Sequence, residues 1–293
     1  MADLVQALGE FLGLAFYMNR QDAPPRDGVP RHWSPSPLLY ASAAVHLGAA
    51  AAVLARPRAW PWALGALAAN HVALAAAGLW PRSQLLGPNW TRLPAQIGAA
   101  ARVAITIDDG PDPDVTPRVL SQLAAHRAHA TFFCVGARVE RHADLAREIV
   151  NRGHAIENHS QRHRHNFSLL GPKSMSAEIS RAQDSILRVT GSSPRFFRAP
   201  AGLRNPFLDP VLARLQLHLA SWTRRGFDTV NANPDAVYRR LAAPLRDGDI
   251  LLLHDGNAAR SRGGKPVILE VLPRLLDALA SLELRPVTLR SAL

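Results

Sequence analysis

The sequence is short of cysteine, short of lysine and, over two long stretches, empty of charge. One cysteine, Cys134, stands in 293 residues. A single thiol forms no internal disulfide, so a disulfide-stapled scaffold is excluded and the redox compartment goes unreported. Cys134 lies in an apolar, strand-like run, which reads as a core position. Lysine occurs only at Lys173 and Lys265, so a formal net charge of +11 rests on arginine. Those arginines are scattered, and no nucleic-acid motif or basic–aromatic platform accompanies them, which argues against nucleic acid as a partner. With 47% hydrophobic and 19% charged residues, the chain is globular or partly membrane-embedded rather than disordered.

No Asp, Glu, Lys or Arg occurs between Arg31 and Arg56, nor between Arg58 and Arg82. Each gap is long enough to cross a bilayer, which takes about 20 residues as a helix. Trp33 and Tyr40 flank the first gap, and Trp60, Trp62 and Trp80 the second, as an aromatic belt does. The richness in Ala and Gly suits close helix packing. The connector Arg56-Pro57-Arg58 leaves room only for an antiparallel hairpin. The expectation is two transmembrane helices, about 36–55 and 59–80, inside a segment 32–82. That makes the chain an integral, multi-pass protein of a bacterial inner membrane, with lipid as a partner. The competing reading is a soluble helical hairpin packed on the domain. His46, Asn70 and His71 fit helix-to-helix hydrogen bonding. The arginines flanking the spans lean toward a cytoplasmic domain without fixing its side. Segment 1–31 is expected to hold a short amphipathic helix, Leu4 to Phe16, and a Pro-rich linker from Arg20. No basic run precedes the apolar one and Glu10 interrupts it, unlike a signal peptide. Residues 83–100 read as a linker.

From 101 to 293 the pattern changes to short apolar strands alternating with helices, the mark of an α/β domain with parallel strands. Strands are expected at Val103–Ile107, Ala130–Val135, Ala155–Glu157, Arg195–Arg198, Leu217–Ser221, Ile250–Leu253 and Arg285–Thr288. Helices are expected near Pro117–His126, Val139–Arg152, Ser174–Thr190, Pro206–Leu215, Pro234–Leu245 and Val267–Leu282. Seven strands fit a barrel better than an open sheet, though periodicity alone allows both.

Polar residues collect just after these strands: Asp108-Asp109, His159 to His163, Arg198 to Gly202, Trp222, and His254-Asp255. In a parallel barrel such strand ends share one face, where active sites are built. A carboxylate and two imidazoles can hold a divalent ion with positions left open. Asp109, His159 and His163 form such a set. Asp108 is then free to act as a base, and His254 has the right chemistry for an acid. His126, His129, His142, His154, His165 and His218 read as surface or core histidines. Asp112 and Asp114 suit a turn and helix start, and Asp255 suits the barrel rim or a ligand-orienting role.

In order, the chain carries Thr106-Ile107-Asp108-Asp109-Gly110, His159-Ser160-x-x-His163, Arg198-x-Pro200-x-Gly202, Trp222 to Asp228, and Leu252-Leu253-His254-Asp255. Over about residues 100–290 it resembles the polysaccharide deacetylases of the NodB-homology class, carbohydrate esterase family 4. The resemblance implies a distorted (β/α)7-type barrel behind the helical hairpin. It implies metal-dependent hydrolysis of an N-acyl, typically acetyl, group on an amino sugar of a glycan or lipid-linked sugar. By carry-over Asp108 is the base, and Asp109, His159 and His163 bind the metal, usually zinc. Arg198 orients the base, His254 is the general acid, and Leu252 lines the acyl pocket. Trp222, Pro200 and Gly202 fall to the sugar-binding wall. The oxyanion is assigned to the metal and a backbone N–H near Ala137 or the Gly202 turn. Three departures stand out. Ala199-Pro200-Ala201-Gly202 replaces Pro-Pro-Tyr-Gly. Arg164 follows His163 where Pro is common. Arg225 stands where many members have an acid that orients the catalytic histidine, so either the nearby Asp228 does that work or His254 is tuned differently. Two further readings stay open at this point: a catalytically silent, membrane-anchored glycan-binding or scaffold protein, and a metal phosphoesterase.

Overall fold

The computed structural model describes residues 31–95 and 100–293. The helix expected at Leu4 to Phe16, and the linker up to residue 30, lie outside the described residues.

Eight parallel strands form one curled sheet: β1 Arg102–Asp108, β2 Thr131–Cys134, β3 Ala155–Asn158, β4 Phe196–Phe197, β5 His218–Leu219, β6 Arg224–Arg225, β7 Ile250–His254 and β8 Arg285–Val287. The order is β5-β4-β3-β2-β1-β7-β6, with β8 beside the start of β1. All seven expected strands are present within a few residues. The eighth, β6, is two arginines long and has no apolar pattern to announce it. β5 and β6 do not pair, so the expected barrel is open on one side.

Strand alternation decides what faces the site. Val103, Ile105 and Ile107 of β1, with Leu251 and Leu253 of β7, join the apolar layer beneath the helices. Ala104, Ile250 and Leu252 turn to the concave face with Phe133, Phe196 and Trp222. Thr106, Asp108 and His254 share that concave face by the same period of two. The register sets Asp108 of β1 directly beside His254 of β7.

Around the sheet run α3 Thr116–Ala125, α4 Gly136–Arg141, α5 Ala143–Asn151, α6 Pro172–Thr190, α7 Leu208–Arg214, α8 Pro234–Ala242 and α9 Ile268–Ser281. The single helix expected at Val139–Arg152 is two, because His142 leaves the helical region at φ −120°, ψ 53°.

The hairpin is present as α1 Pro37–Ala55 and α2 Trp60–Leu79, joined by a 3₁₀ turn at Pro57–Ala59. Both helices are long and apolar enough to cross a membrane. They bury little of that surface here: Leu54 and Trp62 are each 84% exposed. Their polar residues meet each other. Asn70 Nδ2 donates to Ser42 Oγ at 2.9 Å, and His46 and His71 stack edge-on at 5.3 Å.

The described part of the stretch expected to be a linker is instead built into the domain. The Trp90 N–H donates to Leu219 O at 2.9 Å, and Trp90 O accepts from Ser221 N–H at 2.9 Å, extending the sheet beyond β5. The Leu93 N–H donates to Gly248 O at 2.8 Å, on the β7 side of the opening. Residues 90–93 thus reach across the gap between β5 and β7, and buried Trp90 and Leu93 complete the concave core. A buried side chain of this size contributes about 1.5–3 kcal/mol. An ungoverned linker would expose these groups to water.

Candidate active site

The motif residues converge because parallel strands end on one side. A cleft of about 470 Å³ opens there, with Asp108, Asp109, His159, His163, Trp222, Leu252, His254 and Gly202 among its lining. Several lining residues adopt a left-handed backbone: Asp109 (φ 75°), His163 (φ 49°), Ala201 (φ 55°) and Asn257 (φ 63°). Non-glycine residues tolerate that region at a cost, and such positions gather at functional sites.

The turn after β1 is braced from below. The Asp255 N–H donates to Asp108 O at 3.3 Å, and the Asp255 carboxylate accepts from Thr116 Oγ1 at 2.5 Å. Gly110 rests against that carboxylate with no room for a Cβ. Burial pushes Asp255 up to about 7. It therefore supports the rim and does not line the cleft.

Asp109, His159 and His163 bring one ligand atom each to within 4.8 Å of one another. Asp109 Oδ1 lies 3.3 Å from His159 Nε2 and 3.2 Å from His163 Nε2. His159 Nδ1 lies 2.9 Å from Arg198 O, which can only accept, so Nδ1 carries the proton and Nε2 faces the carboxylate. The loop between the histidines is held by Asn158 Oδ1, which accepts from Ser160 N–H, and by Ser160 Oγ, which accepts from His163 N–H at 3.0 Å. Burial opposes the Asp109 charge, but the close imidazole of His159, with those of His254 and His163, outweighs it and holds the carboxyl below its ordinary range. Burial and the neighbouring His159 push His163 down, toward the neutral form a ligand needs. A test of fit comes from valence: Asp109 Oδ2 accepts from Asn257 Nδ2 at 3.1 Å, whereas buried Oδ1 has no hydrogen-bond partner. A stranded carboxylate oxygen facing two imidazole nitrogens suits a borderline-soft divalent cation of the zinc kind.

Asp108 is set apart from this group by Arg198. The fully buried guanidinium donates from NH1 to Asp108 Oδ1 at 2.6 Å and to Thr106 Oγ1 at 2.8 Å. Its other donors reach Ala220 O and Ser221 O, so the arginine has no freedom to swing. Phe133 packs over it at 4.1 Å. On the opposite wall, Asp228 Oδ1 lies 2.8 Å from His254 Nδ1, and Asp228 Oδ2 accepts from the His254 backbone N–H at 2.8 Å. Burial alone would lower His254, but Asp228, with Asp108 and Asp109, raises it to about 9. Asp228 is therefore the acid that orients the histidine.

Some expectations shift. Pro200, expected on the sugar-binding wall, is buried and does not line the cleft, whereas Ala201 and Gly202 do. Gly202 is required there: at φ 74° a Cβ would stand 2.5 Å from Trp222 and 2.8 Å from Pro81. Within the two stretches suggested for an oxyanion, the Ala137 N–H donates to Gln161 O and the Gly202 N–H to Ala199 O. Sequence reasoning missed Asn257, Arg138, Arg162 and Thr229 and noted Arg225 only as a departure from the family pattern; all five line the cleft. Asn257 follows His254 by three residues in the same strand-end loop, which was the available signal. His165 also borders the cleft, outside the ligand cluster.

The polysaccharide deacetylase family profile matches residues 96–220. A peptidoglycan-N-acetylglucosamine deacetylase of Bacillus cereus is 34% identical over 175 residues, covering 59% of this chain and 81% of the relative. The chain belongs to the polysaccharide deacetylase family. It is accordingly a hydrolase acting on carbon–nitrogen bonds other than peptide bonds. A chitooligosaccharide deacetylase of Sinorhizobium fredii is 35% identical over 158 residues, covering 54% of this chain and 73% of that one. The structure of a family 4 carbohydrate esterase from Streptomyces lividans, solved with acetate, superposes with a TM-score of 0.58 at 32% identity, over 64% of this chain and 93% of the other. The curled parallel sheet of this family member is thus the NodB-type half-barrel, preceded by a helical pair.

Proposed function

We propose that this polysaccharide deacetylase removes an N-acetyl group from an amino sugar, that the reaction depends on a divalent metal, and that the α1–α2 hairpin anchors the enzyme in a membrane. The observation that carries the reading is the stranded oxygen of Asp109 facing His159 and His163, with Asp108 on one side and His254 on the other. The domain limits follow the same reading: a membrane segment over 32–82 and a catalytic unit to 293, to which we add residues 90–93 because they complete its core.

Asp109, His159 and His163 hold the metal, zinc being the ion this donor set suits. When bound, such an ion supplies Lewis acidity toward the acyl oxygen. Asp108, aimed by Arg198, takes the proton of the water whose oxygen attacks the acyl carbon. His254, protonated and fixed through Nδ1 by Asp228, gives the Nε2 proton to the leaving nitrogen as the C–N bond breaks. The products are a carboxylic acid and a free amine. Leu252 and Trp222 give the acyl methyl an apolar wall. A silent binding protein would have no need to keep base, acid and both orienting partners in register.

Membrane anchoring is supported by the apolar surface that both hairpin helices leave uncovered, which is far larger than isolated exposed side chains account for. The relatives named for peptidoglycan and for chitooligosaccharide make an N-acetylglucosamine polymer the first substrate class to try. A lipid-linked sugar is the alternative if the domain faces inward.

Full-length enzyme in detergent is expected to release acetate from a chitooligosaccharide. Chelation is expected to stop the release and Zn2+ to restore it. Full acetate release by a protein carrying both His159→Ala and His163→Ala contradicts the metal site. Carbonate-washed membranes are expected to retain the protein, and its release would remove the anchor. A topology reporter after Leu293 then gives the side.

A further inference from the structure

The two arginines of β6 have opposite fates. Arg224 points away from the cleft. Its Nε donates to Asp249 Oδ2 at 2.9 Å, and its remaining nitrogens reach Ala243 O and Pro244 O. Arg225 lines the cleft. Among the described residues its guanidinium meets no carboxylate, and its Nε is buried without a hydrogen-bond partner. It is nevertheless held in place, 5.4 Å from the Trp222 ring and 4.9 Å from the Phe227 ring. The strand register fixes Arg225 beside Leu252, two residues before His254 on β7. Arg138 and Arg162 border the same cleft. Arg162 approaches Glu178 at 3.9 Å, and Arg138 approaches Asn257 Oδ1 at 3.4 Å. Neither lining carboxylate answers these charges: Asp108 is taken by Arg198, and Asp109 sits among imidazoles.

A guanidinium held beside two aromatic rings, with a buried N–H left over, is an incomplete site. Planar bidentate donors of this kind match carboxylate and phosphate. We propose that Arg225 is a specificity-determining anion receptor, and that the N-acylated sugar turned over here carries an acidic substituent, a carboxylate or a phosphate, beside the scissile amide. The proposal rests on the deacetylase reading and narrows its substrate class.

The test compares kcat/KM of the zinc-loaded full-length enzyme on three probes: neutral N,N′-diacetylchitobiose, N-acetylmuramic acid (a carboxylate) and N-acetylglucosamine 1-phosphate. At least one acidic probe is expected to exceed the neutral one tenfold or more, chiefly through KM, and which one does so separates carboxylate from phosphate. R225Q is expected to cut that acidic-to-neutral ratio at least tenfold. R225K, which keeps the charge but not the fork, is expected to recover part of it. A neutral probe processed as well as both acidic ones, or an unchanged ratio in R225Q, overturns the proposal. If no probe is turned over, the deacetylase reading fails separately. Calorimetric binding of the same three sugars to wild type and R225Q then decides Arg225, with equal affinities counting against it.

Discussion

Two acid–imidazole groupings face each other across the cleft. On the β7 side, Asp228 gives both oxygens to His254, one to the ring and one to the backbone N–H. On the β1 side, Asp109 gives Oδ2 to Asn257 and leaves buried Oδ1 with nothing but two imidazole nitrogens near it. The residue types are the same and the consequences differ. A carboxylate with both oxygens turned to one histidine can fix and charge it, and neither oxygen is left stranded for a cation. A carboxylate with a stranded oxygen is unfavourable in an apoprotein and becomes favourable once a cation arrives. Role is read from the valence left over, more than from residue identity.

Breaking the β1 side carries the largest expected effect. Asp109→Asn removes the charge that answers the cation, and kcat/KM is expected to fall by about four orders of magnitude, matching several kcal/mol of lost Lewis-acid stabilisation. Asp108→Asn removes the proposed base while leaving the proposed ligand set, and a loss of about 10²–10⁴ is expected. Steady-state acetate release measures both.

Breaking the β7 side changes the pH profile as well as the rate. In the proposed mechanism His254 acts in its protonated form, so activity is expected to be lost as pH rises through its pKa, which Asp228 and the other carboxylates raise to about 9. A bound cation cancels the share owed to Asp108 and Asp109, so the holoenzyme's alkaline limb falls below that value. Asp228→Asn removes the largest supporting charge. The alkaline limb of kcat is expected to move to lower pH, with a loss of roughly a hundredfold at neutral pH. An alkaline limb that stays in place would detach His254 from the acid role.

The smallest catalytic effect is expected far from both groupings. Trp90→Ala empties a core position of the concave layer, and unfolding should become easier by about 3 kcal/mol, readable by denaturant melting. Metal content and kcat should change little. A variant as stable as wild type would return residues 83–95 to the status of a linker.

Much of this was legible in the residues. The short apolar runs alternating with helical stretches gave seven strands, because strands of a parallel sheet are largely buried. The Asp-Asp pair, the histidines four apart and His254 stood out as polar groups ending apolar runs. Long-range pairing was not legible. β6 is Arg224-Arg225, whose strand character comes only from docking beside Leu251 and Leu252. Trp90 looked like a linker aromatic because its partners, Leu219 and Phe196, lie more than a hundred residues away. Pro200 was placed on the sugar-binding wall, yet only a three-dimensional turn shows that Ala201 and Gly202 cover it. Asn257 offered only its place three residues past His254, and Arg225 only a departure from the family motif; what each does is defined by what it faces across the cleft.

The division of labour between the adjacent aspartates is the claim most exposed to experiment. Metal content of Asp108→Asn and Asp109→Asn, measured side by side on purified full-length protein dialysed against zinc, tests it directly. The account predicts near-stoichiometric metal in Asp108→Asn and little in Asp109→Asn. Equal loss in both, or retention in Asp109→Asn alone, would contradict it.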